Sequence, residues 1–199
     1  MSIDRLHTRE IGLGIVLLLG ILMFATTGST GTNGTHEMIE WFGIFAILLC
    51  IFGRTWTSLY IGGRKNRALL TKGPYSVVRN PLYVFSILGA AGAGAQLGSV
   101  ISSVIIGLLV WMVFYIEVLR EERNMAARHG ANYAAYKTSV PRFLPNPFLW
   151  RDEPILTVRP QKVLLTFADS TLLLVLLPLA EGFELLQKIG ILPVMFRLP

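Results

Sequence analysis

Residues 100–123 read VISSVIIGLLVWMVFYIEVLREER. From Val100 to Leu119 the only charge is Glu117, and then Arg120, Glu121, Glu122 and Arg123 arrive together. At about 1.5 Å per residue, the apolar part makes a helix about 30 Å long, the thickness of a bilayer's hydrocarbon core. The stretch therefore reads as a membrane helix that leaves the lipid on a charged turn. Its continuation, Phe114 to Arg128, predicts more helix outside the lipid. His129-Gly130 reads as the end of that helix, and Asn132–Lys137 as a further turn or two. Pro141, Pro145 and Pro147 then impose an extended path.

The rest of the chain repeats this pattern. Hydrophobic residues make up 53% of it and charged residues only 15%, against about a quarter charged in soluble domains. Mean hydropathy is +0.57. Further apolar runs cover Ile11 to Thr27, Trp41 to Tyr60, Leu82 to Leu97 and Val163 to Ala180. The last holds Asp169 and Pro178, and either crosses the membrane or lies at its surface. Trp41 and Tyr60 are placed as interface anchors. The expected fold is all-α: a polytopic integral membrane protein with four to five transmembrane helices, in a single domain over residues 1–199.

Charge sets the expected orientation. The formal net charge is +6. Arg64, Lys65, Arg67, Lys72 and Arg79 crowd one connector, and most of the other cations follow Leu119 or precede Ile11. The Gly28–Glu40 and Gly98–Ser99 connectors carry none. One-sided Lys and Arg predict that the basic connectors are cytoplasmic. No basic helix or aromatic platform stands apart from the apolar runs, so nucleic acid is not an expected partner. The single cysteine, Cys50, reads as a core residue, and three scattered histidines give no metal-binding spacing. No metal is expected.

Runs three and four read as a tight hairpin. Gly89 to Ala95 is all Gly and Ala, and Gly94 and Gly98 form a GxxxG pair that permits close backbone approach. Asn80-Pro81 gives a helix start, with Asn as N-cap and Pro at the first helical position. Just before it stands a polar segment, Gly73-Pro74-Tyr75-Ser76-Val77-Val78-Arg79-Asn80-Pro81-Leu82-Tyr83. Taken alone, Arg79 serves equally as a cation meeting lipid phosphates, the tyrosines as an aromatic belt, and Glu121 and Glu122 as a solvated face. Adjacent helical residues point about 100° apart, so only one of that pair faces a given pocket. Arg54 and Asp169, ionisable residues inside apolar runs, either snorkel or line a cleft.

The ordered series of Gly73–Tyr83, Glu121-Glu122, Tyr133-Ala134-Ala135-Tyr136 and Val140-Pro141-Arg142 resembles the isoprenylcysteine carboxyl methyltransferase family and the wider phospholipid methyltransferase-like membrane enzymes. The resemblance covers roughly Tyr60 to Pro147. It implies a cytosol-facing cleft for S-adenosylmethionine and methyl transfer to a lipophilic acceptor in the membrane. Gly73, Pro74, Tyr75, Arg79, Asn80, Pro81 and Tyr83 would wrap the cofactor. Glu121 and Glu122 would hold its amino acid or ribose. Tyr133, Tyr136 and Arg142 would close the site, and Glu121, Arg142 and Arg54 are the catalytic candidates. Asn80 stands where many relatives have His, and Glu117 where isoprenylcysteine enzymes carry Arg. The other readings are an NADPH-dependent membrane reductase of sterol-reductase type and a non-catalytic membrane scaffold.

Overall fold

The computed structural model describes residues 33–61 and 69–192. The first apolar run and Arg64, Lys65 and Arg67 lie outside the described residues. Among those described, every regular element is helical: α1 (Asn33–Ile61), α2 (Pro74–Val77), α3 (Pro81–Ala95), α4 (Val100–Ser139), α5 (Pro160–Thr171) and α6 (Leu176–Lys188), with short 3₁₀ turns at Pro147–Leu149 and Leu172–Val175. Gly34–Ile61, Val100–Ser139 and Pro160–Gln187 are each long and apolar enough to cross a membrane, and Pro81–Ala95 is a shorter apolar helix. Phe42, Phe45, Phe52, Ile116 and many other large apolar side chains point outward. Lipid is the solvent that tolerates such a surface. The chain is an all-α integral membrane protein.

Helix α1 begins earlier than expected. The Gly28–Glu40 segment reads as a connector, yet it is helical from Asn33. It contains no proline, and His36 pairs with Glu40 one turn on, Nδ1 to Oε1 3.3 Å. Trp41 therefore sits within the helix rather than at its start.

The described residues form two compact units. One is built from 33–47, 88–113 and 173–192, the other from 48–61, 69–87 and 114–172. In the first, the expected hairpin is present. Ser103 Oγ donates to the Ala91 carbonyl at 2.8 Å. A side chain on Gly94 would meet the Ser102 carbonyl and Ser103 Cα at 2.8 Å. Gly94 and Gly98 do not share a helix face, however. Helix α3 ends at Ala95, and Gly98 makes the turn with φ 66°. Its φ is the reason glycine is needed there. The small residues also serve α1: a side chain on Gly92 would come within 2.7 Å of the Gly43 carbonyl. Leu97 and Ile106 form this unit's core, with Ala90, Ala180 and Phe183 packed on them.

The second unit is organised by the far end of α4. Gly130, at φ 47° and ψ −120°, breaks that helix where the sequence places its end. The short segment beyond carries Tyr133 and Tyr136, which pack with Val140, Leu69 and Met125. The fifth apolar run is helical on both sides of the 3₁₀ turn at Leu172–Val175. Pro178 explains that turn, because it offers no N–H to the Leu174 carbonyl and its ring crowds that group.

Candidate active site

The Gly73–Tyr83 segment is held from two sides within the second unit. Gly73 N donates to the Arg151 carbonyl at 2.7 Å, Arg79 N to the Pro141 carbonyl at 2.8 Å, and Asn146 N to the Val77 carbonyl at 3.0 Å. Ser76 Oγ donates to the Gly73 carbonyl and accepts from Arg151 N. Tyr136 donates its hydroxyl proton to the Tyr75 carbonyl at 2.7 Å. Pro141 and Pro145 make this possible, since non-helical chain leaves its carbonyls and N–H groups free to pair with a neighbour. Pro147, expected to extend the path, instead opens the 3₁₀ turn Pro147–Leu149, where its missing N–H costs nothing. Gly73 lies under the Tyr60 ring at φ 58°, a position that no larger residue fills.

These constraints bring distant residues around one cavity of about 90 Å³. Tyr75, Arg79, Asn80, Pro81 and Tyr83 come from one side, and Glu121, Glu122, Tyr133 and Tyr136 from α4. Apolar residues complete the wall, among them Ile61, Leu69, Leu82 and Met125. A pocket that encloses a drug-sized ligand holds roughly 300–1,000 Å³, so this cavity takes part of such a ligand and leaves the rest in its open mouth.

Charge in the site is concentrated at Glu122. Its buried carboxylate accepts two hydrogen bonds from Arg142, Nε at 3.0 Å and Nη2 at 2.8 Å. Arg79 Nη1 approaches it to 3.2 Å. The contact is ionic but poorly aligned. Arg79 Nε and Nη1 are both buried without a hydrogen-bond acceptor, while the Tyr133 hydroxyl stands within hydrogen-bonding reach of the guanidinium. A buried guanidinium with unmatched donors on a cavity wall is suited to an anionic ligand group. Glu121, one residue earlier, hydrogen-bonds to the Tyr83 hydroxyl. Burial, with Glu121 as the second cause, pushes the Tyr75 hydroxyl well above its ordinary pKa. Tyr75 is therefore a neutral donor at any working pH.

Four sequence-predicted residues stand elsewhere. Gly73 and Pro74 shape the loop and do not line the cavity. Arg142 lies behind Glu122, over the Tyr115 ring at 5.6 Å, where the hydrogen bond to Glu122 raises its pKa. Arg54 hydrogen-bonds to Ser86 and pairs with Asp169, Nη2 to Oδ2 2.8 Å. Asp169 thus meets one of the Arg54 donors, while Arg54 Nε is buried without an acceptor. Asn80 occupies the N-cap position, and its carbonyl accepts from Val84 N. Its side chain does not cap the helix but donates to the Arg142 carbonyl at 3.2 Å. Sequence reasoning missed Ser76 and Arg151. The only available signal was a small hydroxyl inside a proline-bounded loop.

A helical membrane protein with a tyrosine- and carboxylate-lined cleft at the end of its longest helix is the class that fold and site define. The phospholipid methyltransferase family profile matches residues 11–132. The chain belongs to the phospholipid methyltransferase family. Among its relatives, the cobalt-zinc-cadmium resistance protein CzcN of Cupriavidus metallidurans is 34% identical, covering 96% of this chain and 89% of that one. The nickel-cobalt-cadmium resistance protein NccN of Alcaligenes xylosoxydans xylosoxydans is 30% identical over 99% of this chain and 93% of its own. The protein-S-isoprenylcysteine O-methyltransferase of Schizosaccharomyces pombe is 32% identical over 41% of this chain and 34% of its own length. No solved structure gives a significant match. Family and relatives together indicate a membrane methyltransferase.

Proposed function

We propose that this chain transfers a methyl group from S-adenosylmethionine to a lipophilic acceptor, with its cofactor cleft opening to the cytoplasm. The observation that carries this reading is the convergence of Arg79, Glu121 and four tyrosines on one cavity. When bound, the cofactor supplies an activated sulfonium methyl. The unmatched donors of Arg79 fit its carboxylate, and Glu121 fits its ammonium or ribose hydroxyls. Glu122 and Arg142 act through Arg79, by fixing the guanidinium that meets the ligand. Catalysis in such a site is mostly alignment and exclusion of water.

An apolar hollow of about 390 Å³ shares Pro81 with the cavity and is lined by Trp56, Val78, Phe85 and Trp150. It suits an aliphatic or prenyl chain. The acceptor head is then a prenylcysteine-like carboxylate or a lipid amine. Arg54, whose Nε is buried without a partner, would draw the carboxylate, and Glu117 the amine. The names of the full-length relatives suggest that the reaction serves membranes exposed to divalent transition metals.

Incubation of the purified protein with methyl-labelled S-adenosylmethionine and a total lipid extract tests this reading. Label is expected in the organic phase, and Glu121→Gln should lower turnover while leaving lipid binding largely intact. Label confined to water-soluble products, with Glu121→Gln fully active, would refute it.

A further inference from the structure

We propose that His36, Glu40 and Glu184 form a binding site for one divalent transition-metal ion. The site lies in the first unit and is separate from the proposed methyl-transfer cleft. One potential ligand atom from each residue falls within 4.8 Å of the others, and all three side chains are half-buried. Two ligands of one tetrahedral ion, each about 2.1 Å from it, stand about 3.4 Å apart. His36 Nδ1 and Glu40 Oε1 are already 3.3 Å apart, close to that separation, and a Glu184 oxygen lies within 4.8 Å of both.

The surroundings hold the three groups together. His36 packs on the α3–α4 turn at Gly98, where any side chain would overlap the imidazole. Contact on that side leaves Nδ1 as the ligating nitrogen. Gln96 Nε2 donates to the Glu40 carbonyl at 3.0 Å and ties the same turn to α1. On α6, Ala180 and Phe183 pack against Leu97 and Ile106. Positions 180, 183, 184 and 187 lie on one helix face, so Glu184 shares that packed stripe. Gln187, one turn on, is nine-tenths buried with neither amide atom hydrogen-bonded.

Two further carboxylates, Glu37 and Glu181, act electrostatically on Glu40, as does Glu184. Glu40 and Glu184 beside one imidazole, with two more acids acting on Glu40, favour a cation. Imidazole selects first-row transition ions over magnesium, and the absence of a thiolate from the cluster favours zinc, cobalt or manganese over softer ions. Sequence alone could not assemble the set, because Glu184 comes from the last described helix.

Full-length protein in detergent, stripped with a chelator, is titrated with Zn²⁺ against a chromophoric competitor. One equivalent should bind, with Mg²⁺ failing to compete. His36→Ala and Glu184→Gln should each weaken binding at least tenfold, whereas His129→Ala should not. X-ray absorption of the zinc-loaded wild-type protein should give a nitrogen and oxygen shell at about 2.0–2.2 Å with no sulfur at about 2.3 Å. Absence of zinc binding by the wild type, wild-type affinity in both variants, or a sulfur ligand from Cys50 would overturn the assignment. S-adenosylmethionine binding, measured on the same preparations, is expected to survive both variants, so the two readings fail separately.

Discussion

Replacing Glu122 with alanine removes the carboxylate that lies between two guanidiniums. Arg79 has 9% of its side chain exposed and Arg142 26%. Arg79 would be left charged, buried and without its counter-ion, and removing one partner of a buried pair costs about 3–5 kcal/mol. Arg142 can turn toward solvent and adds little to that figure. The reciprocal change, Arg142→Ala, deletes two charge-assisted hydrogen bonds but leaves Glu122 facing Arg79 at 3.2 Å. Its cost should be smaller, about 1.5–3 kcal/mol. Combining Arg79→Met with Glu122→Leu removes the stranded charge, so the double variant should be more stable than Glu122→Ala. Unfolding in mixed micelles titrated with sodium dodecyl sulfate gives the three free energies. A Glu122→Ala protein within about 1 kcal/mol of wild type, or one more stable than Arg142→Ala, would refute the charge ordering.

Two other perturbations test the fold. Gly94→Leu places a side chain against the Ser102 carbonyl and Ser103, and should cost about 1–3 kcal/mol by overpacking in the same micelle assay; a neutral result would contradict the close hairpin. In a Cys50→Ala background, Thr35→Cys and Lys72→Cys should react with an impermeant maleimide from opposite sides of the membrane, Lys72→Cys from the cytoplasm, and labelling of both from one side would sink the proposed orientation.

Much of the fold was legible because lipid imposes simple rules. The charge that ends the apolar part of α4, the break at Gly130 and the small residues between α3 and α4 each have a local cause that a single stretch of sequence displays. The start of α1 at Asn33 does not, since Gly, Ser and Thr mark a connector by composition while the His36–Glu40 pair supports a helix. What was legible of the candidate site is that most of its named residues line one cavity; their roles belong to the proposal. Gly73 and Pro74 read as cofactor contacts, whereas in the structure they lie outside the cavity lining, with Gly73 beneath Tyr60. Glu121 and Glu122 read as alternatives for one position, and both line the cavity. Glu122 is bound up with Arg142, a pairing that depends on the chain reversing after Gly130. Arg54 found Asp169, a partner 115 residues away, and no local pattern announces such a pair.

The central claim is that the Arg79–Glu121 cavity binds a methyl donor. Calorimetric titration of the purified chain with S-adenosylmethionine, S-adenosylhomocysteine and NADPH tests it most directly. The first two should compete for one site, and Arg79→Gln should weaken both about tenfold or more, the loss of one charge-assisted hydrogen-bonded contact. Tight NADPH binding with no heat from either methyl-cofactor form, or an Arg79→Gln protein that binds S-adenosylmethionine as well as wild type, would contradict it.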